Sequence, residues 1–511
     1  MNDANAPTVA IGSDRMTLQR VIDLASGASR PRLAEVARER MQASADVIAR
    51  LHAEGAHVYG VTTSVGHSVT TAIPPALSAE FSLNLLRMHG VGTGRVLDDT
   101  EAAAVLAIRL TSLAQGRSGV RPEIADLLAQ MLEGRVLPVI PSEGSVGASG
   151  DLTPLSYVAA CLAGEREVTI NGEELDAVEG LARIGAKPIA LGPKEALALM
   201  NGTSVAAAIG TIAWHRARRL ARLSATVTAM ASQAIHGNPT HFDPFVHASK
   251  PHAGQELAAA WIRADLEFSE DLDPGPRLQD RYSIRCAPHI LGVLIDALAW
   301  GRDTMETEIN GVSDNPVVDV ARGIVVHGGN FYGGHVAFVF DNLKVALANV
   351  TGLLDRQLAV ICNPAENDGL PANLNGVEGP EACAHNGFKA VTIATSALAA
   401  EALKLTMPAS AFSRSTELHN QDKVPMATMA ARDFVRVAEL TEQVMAMLVL
   451  AVCQAADLRG GPKTAAAKAL HTAVRSVVPR LVKDRRMDHD VAAVVALIRA
   501  DGLTNEEIVL P

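Results

Sequence analysis

Apolar residues recur at helical spacing in four long stretches of the chain that contain no proline. These stretches are residues 203–235, 336–361, 387–405 and 427–458. In the last of them Val435, Leu440, Val444 and Leu448 follow one another at steps of four to five residues. Helices of this length need partners for their apolar faces, so they pack side by side into bundles. The pattern therefore predicts a mainly α fold with a central bundle of long helices.

Glycine and proline cluster in a few stretches between helical runs. The clusters occupy residues 59–66, 90–94, 138–150, 273–276, 328–334, 363–380 and 460–462. Binding and catalytic residues concentrate on loops that a rigid scaffold holds, although any one Gly-rich loop can be a plain connector. We therefore expect a smaller N-terminal region, residues 1–200, that carries the chemistry. The second region, residues 201–511, is expected to hold the long-helix bundle and the C-terminal helices.

The composition favours helices and disfavours nucleic acid as a partner. Of the 511 residues, 48% are apolar, 20% are charged and only 3% are aromatic. Alanine and leucine lose little conformational freedom in a helix, whereas strand-rich proteins use more β-branched and aromatic residues. The formal net charge is −11, and binding a polyanion depends on clustered Lys and Arg. We therefore expect a soluble protein that does not bind nucleic acid.

The cysteines, the N-terminus and the most apolar run of the chain indicate the cellular compartment of the protein. No two cysteines form a Cys-x-x-Cys pair, which argues against a zinc site and a disulfide framework. They are Cys161, Cys286, Cys362, Cys383 and Cys453. The N-terminus lacks a basic stretch followed by an apolar core, and the apolar run 444–453 is too short to span a bilayer. These features predict a cytoplasmic protein that needs no metal and binds no membrane.

The densest chemical signal is a string of small residues that leads into a helix. Residues 144–155 read Gly-Ser-Val-Gly-Ala-Ser-Gly-Asp-Leu-Thr-Pro-Leu. Small residues let the backbone fold tightly on itself, so that the nitrogen of Gly150 can approach the carbonyl carbon of Ala148. Loss of water closes a five-membered ring there, and loss of the Ser149 hydroxyl leaves an exocyclic methylene. The product, 4-methylidene-imidazol-5-one, is an electrophile that no ordinary side chain supplies.

Other interpretations of this string are weaker. A phosphate-binding loop would show the spacing Gly-x-x-x-x-Gly-Lys-Ser/Thr, which is absent. A serine nucleophile elbow requires Gly-x-Ser-x-Gly, whereas Gly150 directly follows Ser149 here. The tripeptide Ala-Ser-Gly alone would be a structural turn, but the extended string is far more specific.

The extended string resembles the cofactor loop of the aromatic amino acid ammonia-lyase family. This family comprises the histidine, phenylalanine and tyrosine ammonia-lyases and the related aminomutases. Six further strings resemble family motifs and come in the family's order. They are Tyr-Gly-Val-Thr-Thr at 59–63, Asn-Gly-Thr at 201–203, Gln-Asp-Arg-Tyr-Ser-Ile-Arg at 279–285, Ser-Asp-Asn-Pro at 313–316, Gly-Gly-Asn-Phe at 328–331 and His-Asn-Gln-Asp at 419–422. One such match could be chance, but seven in order could not plausibly be.

The resemblance implies that Ala148, Ser149 and Gly150 form the electrophile, which captures the substrate amine and makes it a better leaving group. No nucleotide or metal is expected. Tyr59 then removes the β-proton, and Tyr282 lies beside the reacting groups. A free tyrosine has a pKa of about 10, so Tyr59 needs nearby donors or helix N-termini to act as a phenolate at neutral pH.

The resemblance also implies the residues that bind the substrate. Arg285 resembles the arginine that clamps the substrate carboxylate, a task that suits a guanidinium because it can bond both oxygens. Asn201 and Gln279 resemble the polar residues around the electrophile and the amine, and Phe331 resembles the apolar wall beside them. Buried amides are more often structural than catalytic, so Asn201 and Gln279 are weaker candidates than Tyr59.

In this family the pair that precedes a Gly-rich turn discriminates between rings, and here it is Met88-His89. His89 could hydrogen-bond a phenol hydroxyl or an imidazole nitrogen, whereas a plain phenyl ring would leave it unpaired. A histidine satisfied inside the core is the competing interpretation.

Residues that the resemblance places at the other end of the pocket favour a different substrate. Lys389 and Glu417 resemble a Lys and a Glu of plant phenylalanine ammonia-lyases, and Glu417 opens the same Glu-x-His-Asn-Gln-Asp frame, which contains Gln421. Histidine enzymes carry Asn-Gln-Glu-Asp instead, and the glutamate that is linked to imidazole binding is missing here. Residues 64–67 read Ser-Val-Gly-His where the family commonly has Gly-Phe-Gly.

Taken together, the sequence predicts an ammonia-lyase that converts an aromatic L-amino acid to the trans α,β-unsaturated acid. A polar ring like that of tyrosine is favoured. The alternatives are a histidine ammonia-lyase that forms urocanate and an aromatic amino acid 2,3-aminomutase, and a remote one is a non-catalytic helical relative. A lyase of the fumarase and aspartase type is disfavoured because its Gly-Ser-Ser-x-Met-Pro-x-Lys loop is absent. The resemblance implies a homotetramer whose active sites draw residues from several chains.

Overall fold

The computed structural model describes residues 6–269, 274–503 and 508–511. Within these ranges eighteen helices form. They are α1 Leu18–Ser26, α2 Glu35–Ala53, α3 Ser78–Met88, α4 Asp99–Leu113, α5 Pro122–Glu133, α6 Leu152–Leu162, α7 Ala177–Arg183, α8 Glu195–Met200, α9 Ser204–Ala234, α10 Pro244–Ala248, α11 Ala253–Leu266, α12 Tyr282–Arg285, α13 Ala287–Ile309, α14 Gly334–Cys362, α15 Lys389–Lys404, α16 Ala427–Leu458, α17 Ala465–Arg475 and α18 Asp488–Arg499. The mainly α fold that the sequence predicts is confirmed.

The predicted long helices form close to their predicted bounds. Helices α9, α14, α15 and α16 correspond to the four apolar stretches, and α16 has the predicted limits. Helix α13 is also long, and the periodicity analysis did not single it out.

The chain separates into two compact units, each built from discontinuous segments. The first unit contains the residues up to Ile212, Arg302–Asp341 and Pro408–Arg432. The second contains Ala213–Gly301, Asn342–Met407 and the residues from Asp433 onward. The first segment ends at Ile212, and two later segments return to the first unit.

The nine strands within the described ranges all belong to the first unit. They are β1 Thr8–Ile11, β2 Arg30–Leu33, β3 Thr93–Val96, β4 Leu137–Pro138, β5 Pro141–Glu143, β6 Glu167–Ile170, β7 Glu173–Asp176, β8 Val317–Asp319 and β9 Ile324–Val326. Strands β1 and β2 pair in parallel, with Thr8 opposite Arg30, and the other pairs are antiparallel. The sheet order is β3-β5, β4-β6-β7 and β8-β9. Strand β5 leads directly into the string of small residues.

Helix α4 forms the buried centre of the first unit. Asp98 and Glu101 make a reciprocal capping box at its start, which satisfies two backbone N–H groups that a helix N-terminus leaves unpaired. From Ala102 to Leu113 every residue of the helix is buried, and most of them are apolar. Arg109 is the one charged residue between Ala102 and Leu113, and its side chain is fully buried in the middle of the helix.

One helix, α14, is long and apolar enough to cross a membrane by length and composition alone. Its most apolar window has a mean hydropathy of 1.3, and 72% of that window is buried inside the protein. Burial to this degree is typical of a core helix.

Candidate active site

The string of small residues forms a tight loop, and the backbone of Gly202 holds this loop in place. Ser149 has a φ of 71° and Gly150 a φ of 81°, both in the left-handed region. The Gly202 N–H donates to the Ser149 carbonyl over 3.0 Å, and the Asp151 N–H donates to the Gly202 carbonyl over 2.7 Å. A Cβ atom on Gly150 would lie 2.1 Å from the Gly202 oxygen. Only glycine therefore fits the third position of the predicted electrophile.

Asp151 fastens this loop to the start of α9. Its Oδ2 accepts from the backbone N–H groups of Val205 and Ala206 over 2.9 and 2.8 Å, and its Oδ1 accepts from the hydroxyls of Thr428 and Ser145. Burial raises the pKa of Asp151, and these hydrogen bonds oppose the rise. The carboxylate thus satisfies N–H groups in the first turn of α9. The sequence analysis missed this residue, although an acidic residue at the end of the small-residue string was a signal.

A buried ion pair orients the side chain of Asn201. Its Nδ2 donates to Asp314 Oδ1 over 3.0 Å and to the Asn315 carbonyl over 2.8 Å. The second oxygen of Asp314 accepts from Lys194 Nζ over 2.7 Å, and both charged side chains are fully buried. The Asn201 Oδ1 has no hydrogen-bond partner among the residues that the structure describes. Because the Nδ2 bonds fix the amide, this oxygen remains an available acceptor.

Tyr59 is placed by a short loop at residues 59–66. Its hydroxyl oxygen accepts from the Gly66 N–H over 2.8 Å. Burial raises the pKa of Tyr59, the Gly66 hydrogen bond lowers it, and the charge of Glu417 raises it again. The net direction is upward, so the environment within one chain favours the phenol over the phenolate.

A cavity of about 320 Å³ in the first unit brings several predicted residues together. Tyr59, Ala148, Ser149, Phe331 and Gln421 all line it. The other lining residues were not predicted as site residues. They are Gly147, Asn315, Tyr332, Asn420, Asp422, Lys423 and Val424. The volume is at the small end of the range for ligand pockets and suits a molecule of amino acid size.

Glu417 contacts the tyrosine loop rather than the cavity. Its two carboxylate oxygens accept from the His67 N–H over 3.0 and 2.9 Å. A Cβ atom on Gly66 would lie 2.7 Å from the same carboxylate. Gln421 Oε1 accepts from the Thr416 hydroxyl over 2.9 Å. The atypical residues 64–67 therefore pack against the Glu-x-His-Asn-Gln-Asp frame.

His89 follows directly after α3 and hydrogen-bonds its own helix. Its Nδ1 lies 2.8 Å from the Leu85 carbonyl oxygen, which can only accept, so Nδ1 carries the proton and Nε2 is left as an acceptor. Burial lowers the pKa of His89 and keeps the ring neutral. Met88 is 57% exposed. Neither residue lines the cavity.

Four predicted site residues belong to the second unit: Gln279, Tyr282, Arg285 and Lys389. Tyr282 is 70% exposed, and the Arg285 guanidinium lies 4.6 Å from the centre of its ring. Arg285 Nε donates to the Asp280 carbonyl over 3.1 Å. Gln279 and Lys389 are exposed. Among the described residues, none of these four lines the cavity of the first unit.

Within residues 6–269, 274–503 and 508–511, no group of three or more His, Cys, Asp or Glu side chains could hold a metal ion. The buried cysteines Cys161, Cys362 and Cys453 are poor nucleophiles, because burial raises the pKa of each thiol to about 12 and leaves it protonated.

Known proteins match this chain along most of its length. The family model described as aromatic amino acid lyase matches residues 16–477. Histidine ammonia-lyase of Koribacter versatilis is 38% identical over 461 residues, which are 87% of this chain and 89% of that protein. Histidine ammonia-lyase of an Anaeromyxobacter species is 37% identical over 510 residues, which are 97% of this chain and 99% of that protein.

Solved structures of two kinds of enzyme resemble this fold closely. The tyrosine aminomutase of Streptomyces globisporus has a TM-score of 0.91 at 32% identity and covers 99% of this chain and 100% of its own. The histidine ammonia-lyase of Trypanosoma cruzi has a TM-score of 0.88 at 32% identity and covers 97% of this chain and 94% of its own.

Proposed function

Since this chain belongs to the aromatic amino acid lyase family, we propose that it eliminates ammonia from L-histidine and forms urocanate. The observation that carries this choice is the match to histidine ammonia-lyases along nearly the whole chain. It outweighs the preference for tyrosine that the sequence motifs suggested, because that preference rested on single positions at the pocket ends.

The electrophile is proposed to be 4-methylidene-imidazol-5-one formed from Ala148, Ser149 and Gly150. Once formed, this group supplies an electrophilic carbon that activates the substrate for loss of ammonia. The loop suits its formation, because Gly150 lies in a bend that admits no side chain and the Ser149 carbonyl accepts from the Gly202 N–H. The processed chain should be lighter than the encoded chain by two waters.

Tyr59 is the proposed base, and its hydroxyl would accept the β-proton of the substrate. It lines the same cavity as Ala148 and Ser149, so a substrate bound there would lie beside both the base and the electrophile. Asn201 Oδ1 is an unpaired acceptor whose assignment to the substrate amine rests on the family resemblance, since Asn201 is buried and does not line the cavity. Phe331 supplies an apolar wall of the cavity.

His89 does not line the cavity, but its resemblance to the family's ring-selecting pair favours a substrate ring that carries a hydrogen-bond donor. Its Nε2 is an acceptor, so it could bond an imidazole N–H or a phenol O–H, whereas a phenyl ring has neither. Tyrosine remains the second candidate substrate. It is favoured by the similarity to tyrosine aminomutase structures and by the missing glutamate of the histidine enzymes' Asn-Gln-Glu-Asp motif.

We also propose that the enzyme is a homotetramer with shared active sites. Arg285 and Tyr282 belong to the second unit and do not line the cavity, yet the substrate carboxylate needs a cation. Large apolar side chains of the second unit are exposed in the single chain, among them Val293, Trp300 and Ile393. Apolar surface of this kind is typical of subunit interfaces.

An ultraviolet assay of four substrates tests the proposed function. The purified enzyme is incubated with L-histidine, L-tyrosine, L-phenylalanine and dihydroxyphenylalanine, and the absorbance of each conjugated acid is followed. We expect kcat/KM for histidine to exceed the others, with tyrosine second. A higher value for tyrosine would reverse the substrate assignment, and failure to form any conjugated acid would reject the lyase.

Product analysis separates the lyase from an aminomutase. An aminomutase returns the amine to the β-carbon, so its main product is a β-amino acid. We expect free ammonia and the unsaturated acid in equal amounts, measured by nuclear magnetic resonance of the reaction mixture. A majority of β-amino acid would favour the aminomutase.

A further inference from the structure

Arg109 is a buried cation that donates hydrogen bonds only to backbone carbonyls within the described part of the chain. Its Nη1 donates to the Asn201 carbonyl, and both terminal nitrogens lie 3.4 Å from the Ser313 carbonyl. In the described part of the chain no carboxylate forms a salt bridge with it, although Asp314 and Asp151 attract it at longer range. Burying a charge without a paired carboxylate is costly. Such a residue is therefore expected to have a function beyond packing.

The carbonyl that Arg109 contacts belongs to the peptide group whose N–H holds the electrophile loop. This peptide joins Asn201 to Gly202, and its N–H donates to the Ser149 carbonyl over 3.0 Å. A cation at the oxygen of a peptide group withdraws electrons from the group and makes its N–H a stronger donor. Gly202 permits the close approach, because a Cβ atom there would lie 2.7 Å from Arg109 Nη1.

The Ser149 carbonyl oxygen is the atom that gains negative charge during self-processing. The Gly150 nitrogen bonds to the Ala148 carbonyl carbon. The Ala148 oxygen then leaves as water with the protons of the Gly150 and Ser149 nitrogens. Next the Ser149 Cα proton and Oγ hydroxyl leave as a second water, and the Cα–Cβ double bond forms. As the Cα proton departs, its electron pair is delocalised onto the Ser149 carbonyl oxygen. The sequence consumes no oxidant.

We propose that Arg109 is a positioning residue for self-processing, and that its charge acts through the Asn201–Gly202 peptide on the Ser149 carbonyl. The inference rests on the proposed electrophile but assigns a residue outside the cavity. Preorganised donors aimed at developing charge are usually the largest electrostatic contribution to such steps. A finished group that kept this hydrogen bond from the Gly202 N–H would have its carbonyl tuned by Arg109 as well.

The test compares Arg109→Gln with the wild-type chain. Glutamine keeps one donor for the Asn201 carbonyl and removes the charge. The first measurement is the fraction of full-length chains lighter by two waters as a function of time after a translation pulse. We expect processing to slow by about ten- to a hundredfold, less than the 10²- to 10³-fold typical of losing a directly contacting donor. The second is the carbonyl band of the processed fraction in ultraviolet resonance Raman spectra, which should move to higher frequency.

Arg121→Gln is the matched control. Arg121 donates to the buried Glu195 in the same unit but has no contact with the Asn201–Gly202 peptide. We expect this variant to process at the wild-type rate with an unshifted carbonyl band. Thermal unfolding of both variants shows whether they are comparably folded. Arg109→Lys, which keeps the charge, should recover most of the rate, and it carries the test if the glutamine variant does not fold.

The outcomes distinguish this inference from the proposed function. Wild-type chains that never lose two waters would reject the electrophile itself. A folded Arg109→Gln chain with wild-type rate and band would overturn the role of Arg109 and leave the electrophile intact. Arg109→Lys processing as slowly as the glutamine variant, with the same shifted band, would show that the charge is not what matters.

Discussion

Tyr59 is the single residue whose chemistry depends most on its neighbours. Burial and the charge of Glu417 raise its pKa above the ordinary value of about 10. Only the deprotonated form can act as the base, and below the pKa its fraction grows about tenfold with each pH unit. We therefore expect kcat/KM to rise with pH from neutrality into the alkaline range. A pH profile that is already flat from neutrality would contradict this assignment, and Tyr59→Phe should fold but lose elimination.

Glu417 offers an independent test of the same environment. Its carboxylate raises the pKa of Tyr59 and also accepts from the His67 N–H. Replacing it by the neutral Glu417→Gln should lower the pKa of Tyr59, so the rising limb of the pH profile should move to lower pH. Glu417→Asp keeps the charge and serves as the control. An unmoved limb in the glutamine variant would show that Glu417 does not influence Tyr59.

Ser149 provides the methylene of the proposed electrophile. In Ser149→Ala the ring could still close, but the second water could not leave. We expect a folded chain, lighter by at most one water, whose activity is nearly abolished. Intact mass spectrometry and the urocanate assay measure the two effects, and full turnover by this variant would reject the mechanism.

At the scale of elements, long helices pack through positions that the periodic pattern does not reveal. Gly210 of α9 lies against Phe340 of α14, and a Cβ atom there would come within 1.9 Å of the ring. Gly210→Ala should therefore destabilise the fold by about 1–3 kcal/mol, as overpacking does. Denaturant unfolding measures this change. Adding Phe340→Leu should restore part of the loss, whereas additive effects would show that the two residues do not meet.

At the scale of the whole molecule, the predicted site residues fall into two groups, one in each compact unit. Tyr59, Ser149 and Phe331 line the cavity of the first unit, whereas Tyr282 and Arg285 belong to the second unit. If active sites are shared between chains, two inactive variants should complement each other. We expect co-expressed Tyr59→Phe and Arg285→Ala chains to regain a measurable part of wild-type activity. Each variant expressed alone is the control, and a mixed assembly without activity would argue against shared sites.

The sequence alone determined the long helices and the tight bend of the small-residue string. Helices α9, α14 and α16 were predictable because their periodic apolar faces are a local property of the chain. The bend at Gly150 was predictable because small residues permit conformations that others cannot adopt. The motifs also placed Tyr59, Phe331 and Gln421 among the candidates that line the cavity.

Only the tertiary structure decided how distant residues act on one another. Asp151 precedes α6 but caps the first turn of α9, and Glu417 holds the His67 backbone instead of lining the cavity. Arg109 reaches the Asn201 carbonyl across 92 positions of the chain. No sequence pattern encodes such contacts, since they arise when packed helices and loops bring remote segments within hydrogen-bond distance. The pKa of a side chain is decided in the same way, because burial and nearby charges exist only in the folded molecule.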